Sequence, residues 1–187
     1  MIVKRLVVNP PTGMLQSVTY KESPHHDARP SGIEIDMVVV HGISLPPGQF
    51  GGDAIENFFC GELDASLHPY FAQIASLQVS SHLLIKRCGE IVQFVPFNRR
   101  AWHAGVSSFA GRAKCNDFSI GIELEGTDVD PYEDSQYQSL AAVIRSLMQA
   151  YPKIRLERVV GHADIAPGRK TDPGSVFDWG YLKGMLV

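Results

Sequence analysis

The spacing of hydrophobic positions changes period several times along the chain, and each period predicts an element. Met37 to Val40 form an unbroken apolar run, the pattern of a strand buried on both faces, with His41 standing at its C-terminal end. In HLLIKRCGEIVQFVP two apolar runs flank Cys88-Gly89, which predicts a hairpin turning there. In FSIGIELEG, Phe118, Ile120, Ile122 and Leu124 alternate with Ser119, Gly121, Glu123 and Glu125. That is a strand with one apolar and one polar face, and it projects Glu123 and Glu125 from the same side. Tyr137, Leu140, Ala141, Ile144, Leu147, Met148 and Tyr151 recur at helical spacing, with Asp134 or Ser135 placed to cap the start and Pro152 just past the end. ERVVGH predicts a short strand, FDWGYLKGMLV a weaker helix interrupted by Gly180 and Gly184, and DAIENFF and HPYFAQIASL shorter helical turns. No repeat, low-complexity tract or linker divides these segments, so residues 1–187 are expected to form a single α/β domain, helices packed on a mixed central β-sheet.

Composition narrows the function classes. With 44% hydrophobic and 20% charged residues and a formal charge of −3, the chain reads as an ordinary globular protein. It has no dense Lys/Arg block that would mark nucleic acid or an anionic membrane as a partner. No stretch is long and apolar enough to span a bilayer, and the start, MIVKRLVVNPPTG, lacks the apolar core of a signal peptide. A cytoplasmic location is expected, and no protein partner is implied. Cys60, Cys88 and Cys115 are odd in number and contain no C-x-x-C pair, so neither a disulfide framework nor a cysteine zinc site is indicated.

The segment GHADIAPGRKTDPG, residues 161–174, superficially resembles a phosphate loop. Six residues separate Gly161 from Gly168 where such a loop has four, and Asp164 and Pro167 fall inside the would-be cradle. The segment is too rich in Gly and Pro to predict a helix. Its side chains suggest other chemistry. His41 and His162 each follow a Val-rich strand, and strand ends emerging together can aim side chains at one point. Asp172, ten residues after His162, adds a carboxylate. Two imidazoles and a carboxylate with a fourth position open make a catalytic zinc set, although a lone histidine at such a place is more often a packed core residue. The zinc signatures H-E-x-x-H and H-x-E with P-C-x-x-C are absent, as is the G-x-S-x-G elbow. His25, His26, His68 and His82 have structural readings in loops, at a turn cap or in the core. Trp102 in AWHAG could form a flat wall for a ligand or simply be buried.

The runs SPHHDARP, VVVHGISLPPGQFGG, VSSHLLIKRCGEIVQFVPFNRRAWHAGVSSF, CNDFSIGIELEGTD and GHADIAPGRKTDPG resemble those of the zinc-dependent N-acetylmuramoyl-L-alanine amidases. They are most similar to the branch that acts on 1,6-anhydromuramyl peptides, over nearly the whole chain from about residue 23. The resemblance implies an amidase and peptidoglycan-recognition fold. The implied activity is hydrolysis of the amide between anhydro-N-acetylmuramic acid and L-alanine during recycling of cell-wall fragments, with a small soluble muropeptide as substrate. It also implies Zn²⁺ on His41, His162 and Asp172, and Glu123 and Lys170 as the catalytic pair. Glu123 would take a proton from the attacking water and Lys170 would stabilise the oxyanion. Trp102 and His103 are expected to line the sugar side of the site. Arg112 and Lys114, in FAGRAKCND, are expected to meet the carboxylates of the stem peptide. Two positions depart from relatives: Ser81 stands where distant members place a tyrosine, and Gly42 where the branch often has asparagine. A non-catalytic recognition domain and a periplasmic amidase acting on intact peptidoglycan are the competing readings.

Overall fold

The computed structural model describes residues 6–187; residues 1–5, which begin the segment read above for a signal peptide, lie outside the described residues. A six-stranded mixed sheet is built from β1 (Thr19–Tyr20), β2 (Met37–Ile43), β3 (Leu83–Ile85), β4 (Ile91–Gln93), β5 (Ser119–Glu125) and β6 (Val159–Gly161). Their spatial order is β6-β2-β5-β3-β4-β1. Strands β6, β2, β5 and β3 run parallel, whereas β3 and β4 form the antiparallel hairpin expected around Cys88-Gly89. Gly89 takes φ of 84°, the left-handed conformation that the turn demands and that glycine adopts without steric cost. Three short ribbons join Val8–Asn9 to Met14–Leu15, His26–Ala28 to Arg99–Ala101 and Ser108–Phe109 to Arg112–Ala113. Their two- and three-residue strands are too short to leave a periodic signal in the sequence.

The helices are α1 (Ala54–Cys60), α2 (Pro69–Ile74), α3 (Asp134–Ala150), α4 (His162–Ile165) and α5 (Trp179–Leu186). Helix α3 buries Tyr137, Leu140, Ala141, Ile144 and Leu147 against the sheet residues Val38, Val40, Ile120, Ile122 and Leu124, and each fully buried Leu or Ile contributes about 1.5–3 kcal/mol. Its N-cap is Glu133 rather than Asp134 or Ser135. Gln136 Oε1 accepts the Glu133 N–H at 3.0 Å, and Gln136 Nε2 donates to the Ile85 and Glu125 carbonyls, so the start of the helix is tied to the sheet as well as capped. His68 caps α2 through Nδ1, which accepts the Tyr70 N–H. Helix α5 runs through Gly180 and Gly184 because Leu182 is fully buried in the same core as α3. Helix α4 departs from the expected loop: its single turn is closed by the Gly161 N–H donating to the Asp164 carboxylate at 2.7 Å.

Strand β5 differs from its expected two-faced character. All of it is buried, the side carrying Ser119, Gly121, Glu123 and Glu125 included. The alternation separates the faces from Ser119 onward, whereas Phe118 precedes the strand and packs on the other side from Ile120, Ile122 and Leu124. Strand β5 lies at the centre of the sheet, and the face opposite α3 is covered by the loops that form the site. On that face the odd-numbered residues Met37 and Val39 of β2 pack with Ala104, Cys115, Phe118 and Ile165, and His41 continues the same row.

Candidate metal centre

Sheet register brings His41, Glu123 and His162 together. Glu123 pairs with His41 across β5 and β2, and Gly161 pairs with Val40 across β6 and β2, so His162 emerges beside His41 at the C-terminal ends of parallel strands. Asp172 is returned to them by the loop after α4, where the Ala163 N–H donates to the Asp172 carbonyl at 3.0 Å. His41 Nδ1 lies 3.0 Å from His162 Nδ1 and 3.3 Å from Asp172 Oδ2, and His162 Nδ1 lies 3.1 Å from the same oxygen. Four ligands held about 2.0–2.1 Å from a tetrahedral ion stand about 3.3 Å apart, so this triangle has the dimensions of three corners of such a site.

The protonation pattern supports the same reading. His162 Nε2 lies 3.2 Å from the Ala104 carbonyl, which only accepts, so Nε2 carries the hydrogen and Nδ1 presents a lone pair. Burial lowers the pKa of His41 to about 4, against the opposing pull of Asp172, leaving a neutral imidazole, the form that binds metal. Lone pairs and a carboxylate converging this closely repel one another unless a cation sits among them. His41, His162 and Asp172 are the cluster among the described residues with donor atoms arranged to hold a metal ion.

The two carboxylates of β5 are used differently. Glu125 accepts the N–H groups of Gly51 and Arg87, and so fastens two loops to the strand. Glu123 has Oε1 4.0 Å from His41 Nδ1, and its Oε2 is buried without a hydrogen-bond partner among the described residues. Burial, reinforced by the Asp172 charge and opposed by Lys170, holds its carboxyl well above the ordinary range. An unpartnered carboxylate at such a place is set up to exchange a proton.

These groups open into a cleft of about 670 Å³. Its lining includes His41, Glu123, His162, Lys170 and Asp172 together with the apolar side chains of Leu45, Phe58, Ile74, Leu77 and Val79. Trp102 lines the cleft and stacks on His25 with ring centroids 6.2 Å apart. His103 also lines the wall, but its Nδ1 meets His41 Nε2 at 2.9 Å and its Nε2 meets Ser119 Oγ at 3.1 Å, so neither ring nitrogen is free for a sugar.

Arg112 and Lys114 are not among the cleft-lining residues. Arg112 pairs with Asp36 and lies over the Phe118 ring at 3.8 Å from its centroid, because the nearest carboxylate to it in the fold belongs to the strand-leading segment before β2. The basic residues that do line the cleft are Lys170 and Arg169. Arg169 donates to the carbonyls of Ala104 and Val106, which holds the wall opposite the ligand loop. Sequence reading missed Arg169, Ser119 and the Ala104 carbonyl. Ser119 had a detectable signal, since it shares the strand face of Glu123, whereas a backbone carbonyl leaves none. Gly42 lines the cleft, and a Cβ there would collide with the Tyr132 hydroxyl, which donates to the Pro173 carbonyl next to Asp172. Tyr132 thus fills space that a side chain at position 42 would need. Ser81 donates to the Gly121 carbonyl and takes no part in the cleft.

Comparison with known proteins identifies the family. The sequence profile of the N-acetylmuramoyl-L-alanine amidases matches residues 31–175. The 1,6-anhydro-N-acetylmuramyl-L-alanine amidase AmpD of Escherichia coli (strain K12) is 59% identical over 174 residues, covering 93% of this chain and 94% of its own. A crystal structure of a selenomethionine AmpD derivative superposes with a TM-score of 0.93 at 54% identity, covering 97% of this chain and 99% of that one. The E. coli amidase AmiD, solved with anhydro-N-acetylmuramic acid-L-Ala-D-gamma-Glu-L-Lys, superposes with a TM-score of 0.62 at 31% identity, covering 97% of this chain and 65% of that one. Register, donor set and similarity over nearly the full length lead to one conclusion: this chain belongs to the N-acetylmuramoyl-L-alanine amidase family.

Proposed function

We propose that this protein is a zinc-dependent amidase that cleaves the bond between 1,6-anhydro-N-acetylmuramic acid and L-alanine in a small soluble muropeptide, in the cytosol, as part of cell-wall recycling. The observation that carries this reading is the convergence of His41, His162 and Asp172 in a cleft that is also lined by Glu123 and Lys170. Two imidazoles and one carboxylate suit zinc better than a hard cation that prefers an all-oxygen shell. A divalent ion held there supplies Lewis acidity to the scissile carbonyl and acidity to a water.

The chain's own groups do the rest. Glu123, buried beside His41 with one carboxylate oxygen free of protein partners among the described residues, takes a proton from the attacking water and delivers it to the L-alanine nitrogen as the C–N bond breaks. Lys170 lines the same cleft as Asp172, and its ammonium is the group available to stabilise the carbonyl oxygen as it gains charge. Trp102 and the apolar side chains of the lining offer a face to the sugar ring or an alkyl side chain. An intact donor set and an unpartnered carboxylate favour an enzyme over a silent recognition module.

Lys170→Met is expected to retain zinc and lose about 2.7–4 kcal/mol of transition-state stabilisation, the usual cost of one oxyanion donor. Metal analysis beside steady-state kinetics checks this, and an unchanged kcat would make Lys170 an ordinary surface charge.

No described helix is long and apolar enough to cross a membrane. The substrate assignment is tested by following release of stem peptide from an anhydro-N-acetylmuramyl peptide and from intact sacculi with the same purified chain. Much faster release from the soluble fragment is expected; equal or faster attack on sacculi would favour action on the polymer outside the cytosol.

A further inference from the structure

We propose that His103 is a positioning residue that, held by Ser119, fixes the tautomer of His41 so that the Nδ1 lone pair of His41 faces the metal site. The direction of each hydrogen bond follows from groups that have no choice. The Cys115 carbonyl can only accept, so the Ser119 hydroxyl, 2.6 Å away, points its hydrogen there. Ser119 Oγ is then the acceptor in its 3.1 Å contact with His103 Nε2, which must carry the hydrogen. Neutral His103 is left with a bare Nδ1, and the 2.9 Å contact to His41 is made by the His41 Nε2–H. With its hydrogen on Nε2, His41 turns a bare Nδ1 toward His162 and Asp172. His162 needs no such relay, because the Ala104 carbonyl sets its tautomer directly.

The fold is shaped around this chain of contacts. A Cβ at Gly121 would collide with the His103 ring, so the glycine of β5 is what lets the imidazole lie between the strand and His41. The His103 and Ala104 N–H groups both donate to Asn116 Oδ1, at 3.2 and 2.8 Å, which fixes the backbone that carries the ring. Ser119 is wholly buried and shares its strand face with Glu123. Partners behind metal-bound histidines typically change metal affinity by about 10–100-fold when removed.

This inference rests on reading the cluster as a metal centre, so the test reads the hydrogen position in the metal-free chain as well as zinc binding. Long-range ¹H–¹⁵N NMR on the full metal-free protein is expected to show His41 as the Nε2–H tautomer, shifting toward Nδ1–H in His103→Phe and in Ser119→Ala. Zinc affinity, from competition with a chromophoric chelator, is expected to fall about 10–100-fold in His103→Phe. A smaller fall is expected in Ser119→Ala, where an unheld His103 can turn its hydrogen toward His41. His103→Asn, whose side-chain oxygen can take the place of Nδ1, is expected to recover most of the affinity. Ser119→Ala removes one small group and keeps the test open should His103→Phe unfold, which circular dichroism would reveal. Wild-type tautomer and wild-type zinc affinity in Ser119→Ala would overturn the proposal. A wild-type chain that binds no zinc, yet whose His41 tautomer follows these substitutions, would overturn the metal reading and leave the relay standing.

Discussion

His162→Ala is expected to lose both bound zinc and amidase activity, to the limit of detection. The substitution removes one of three donor atoms that lie 3.0–3.3 Å apart, and two remaining protein ligands do not hold zinc against water at ordinary concentrations. Because His162 follows β6 and its ring contacts a carbonyl rather than filling the main core, the variant is expected to fold. Metal content after gel filtration, measured beside stem-peptide release, decides the matter. Stoichiometric zinc with full activity in the variant would remove His162 from the site. Treating the wild-type chain with a strong chelator is expected to reproduce the loss, and adding zinc back to reverse it.

Glu123→Gln is expected to keep zinc and lower kcat by about 10²–10⁴-fold, the usual contribution of a general base. The amide is nearly isosteric with the carboxylate, so it tests proton transfer rather than packing. Glu125→Gln provides the contrast, since its carboxylate anchors the Gly51 and Arg87 N–H groups; it should lower thermal stability and change turnover far less. A larger kcat loss in Glu125→Gln would reverse the assignment of the two carboxylates. Glu123→Gln has a second readout in the metal-free chain. Because burial raises the Glu123 pKa in the folded state, the native protein holds that proton more tightly than the unfolded one. The resulting stability is present below the ordinary glutamate range of about 4.3 and is lost as pH rises through the folded pKa. Metal-free Glu123→Gln, which escapes that loss, is expected to melt higher than wild type at neutral pH, with the advantage shrinking toward pH 4. Differential scanning calorimetry across pH measures it.

The sequence by itself determined the elements whose side chains repeat with a clear period and the residues whose chemistry is concentrated in one segment. The run Met37–Val40, the alternation through β5 and the apolar stripe of α3 are each local patterns, and each forms the element that its period predicts. His162 directly follows its strand as read, whereas the strand carrying His41 runs on through Gly42 and Ile43, so His41 lies near its end and not at it. What pairs with what was not legible, because it depends on register and on which loops cover a face. Glu123 and Glu125 are alike in sequence, and only the approach of Gly51 and Arg87 to one of them separates their roles. Arg112 looked available for a substrate carboxylate until the fold supplied Asp36, and His103 looked like a cleft donor until Ser119 and His41 took both its nitrogens. Each partner is distant in the chain or lies on another element, and a hydrogen bond is decided within a few tenths of an ångström. Hydrophobic period carries no information at that scale; the packed sheet and its covering loops do.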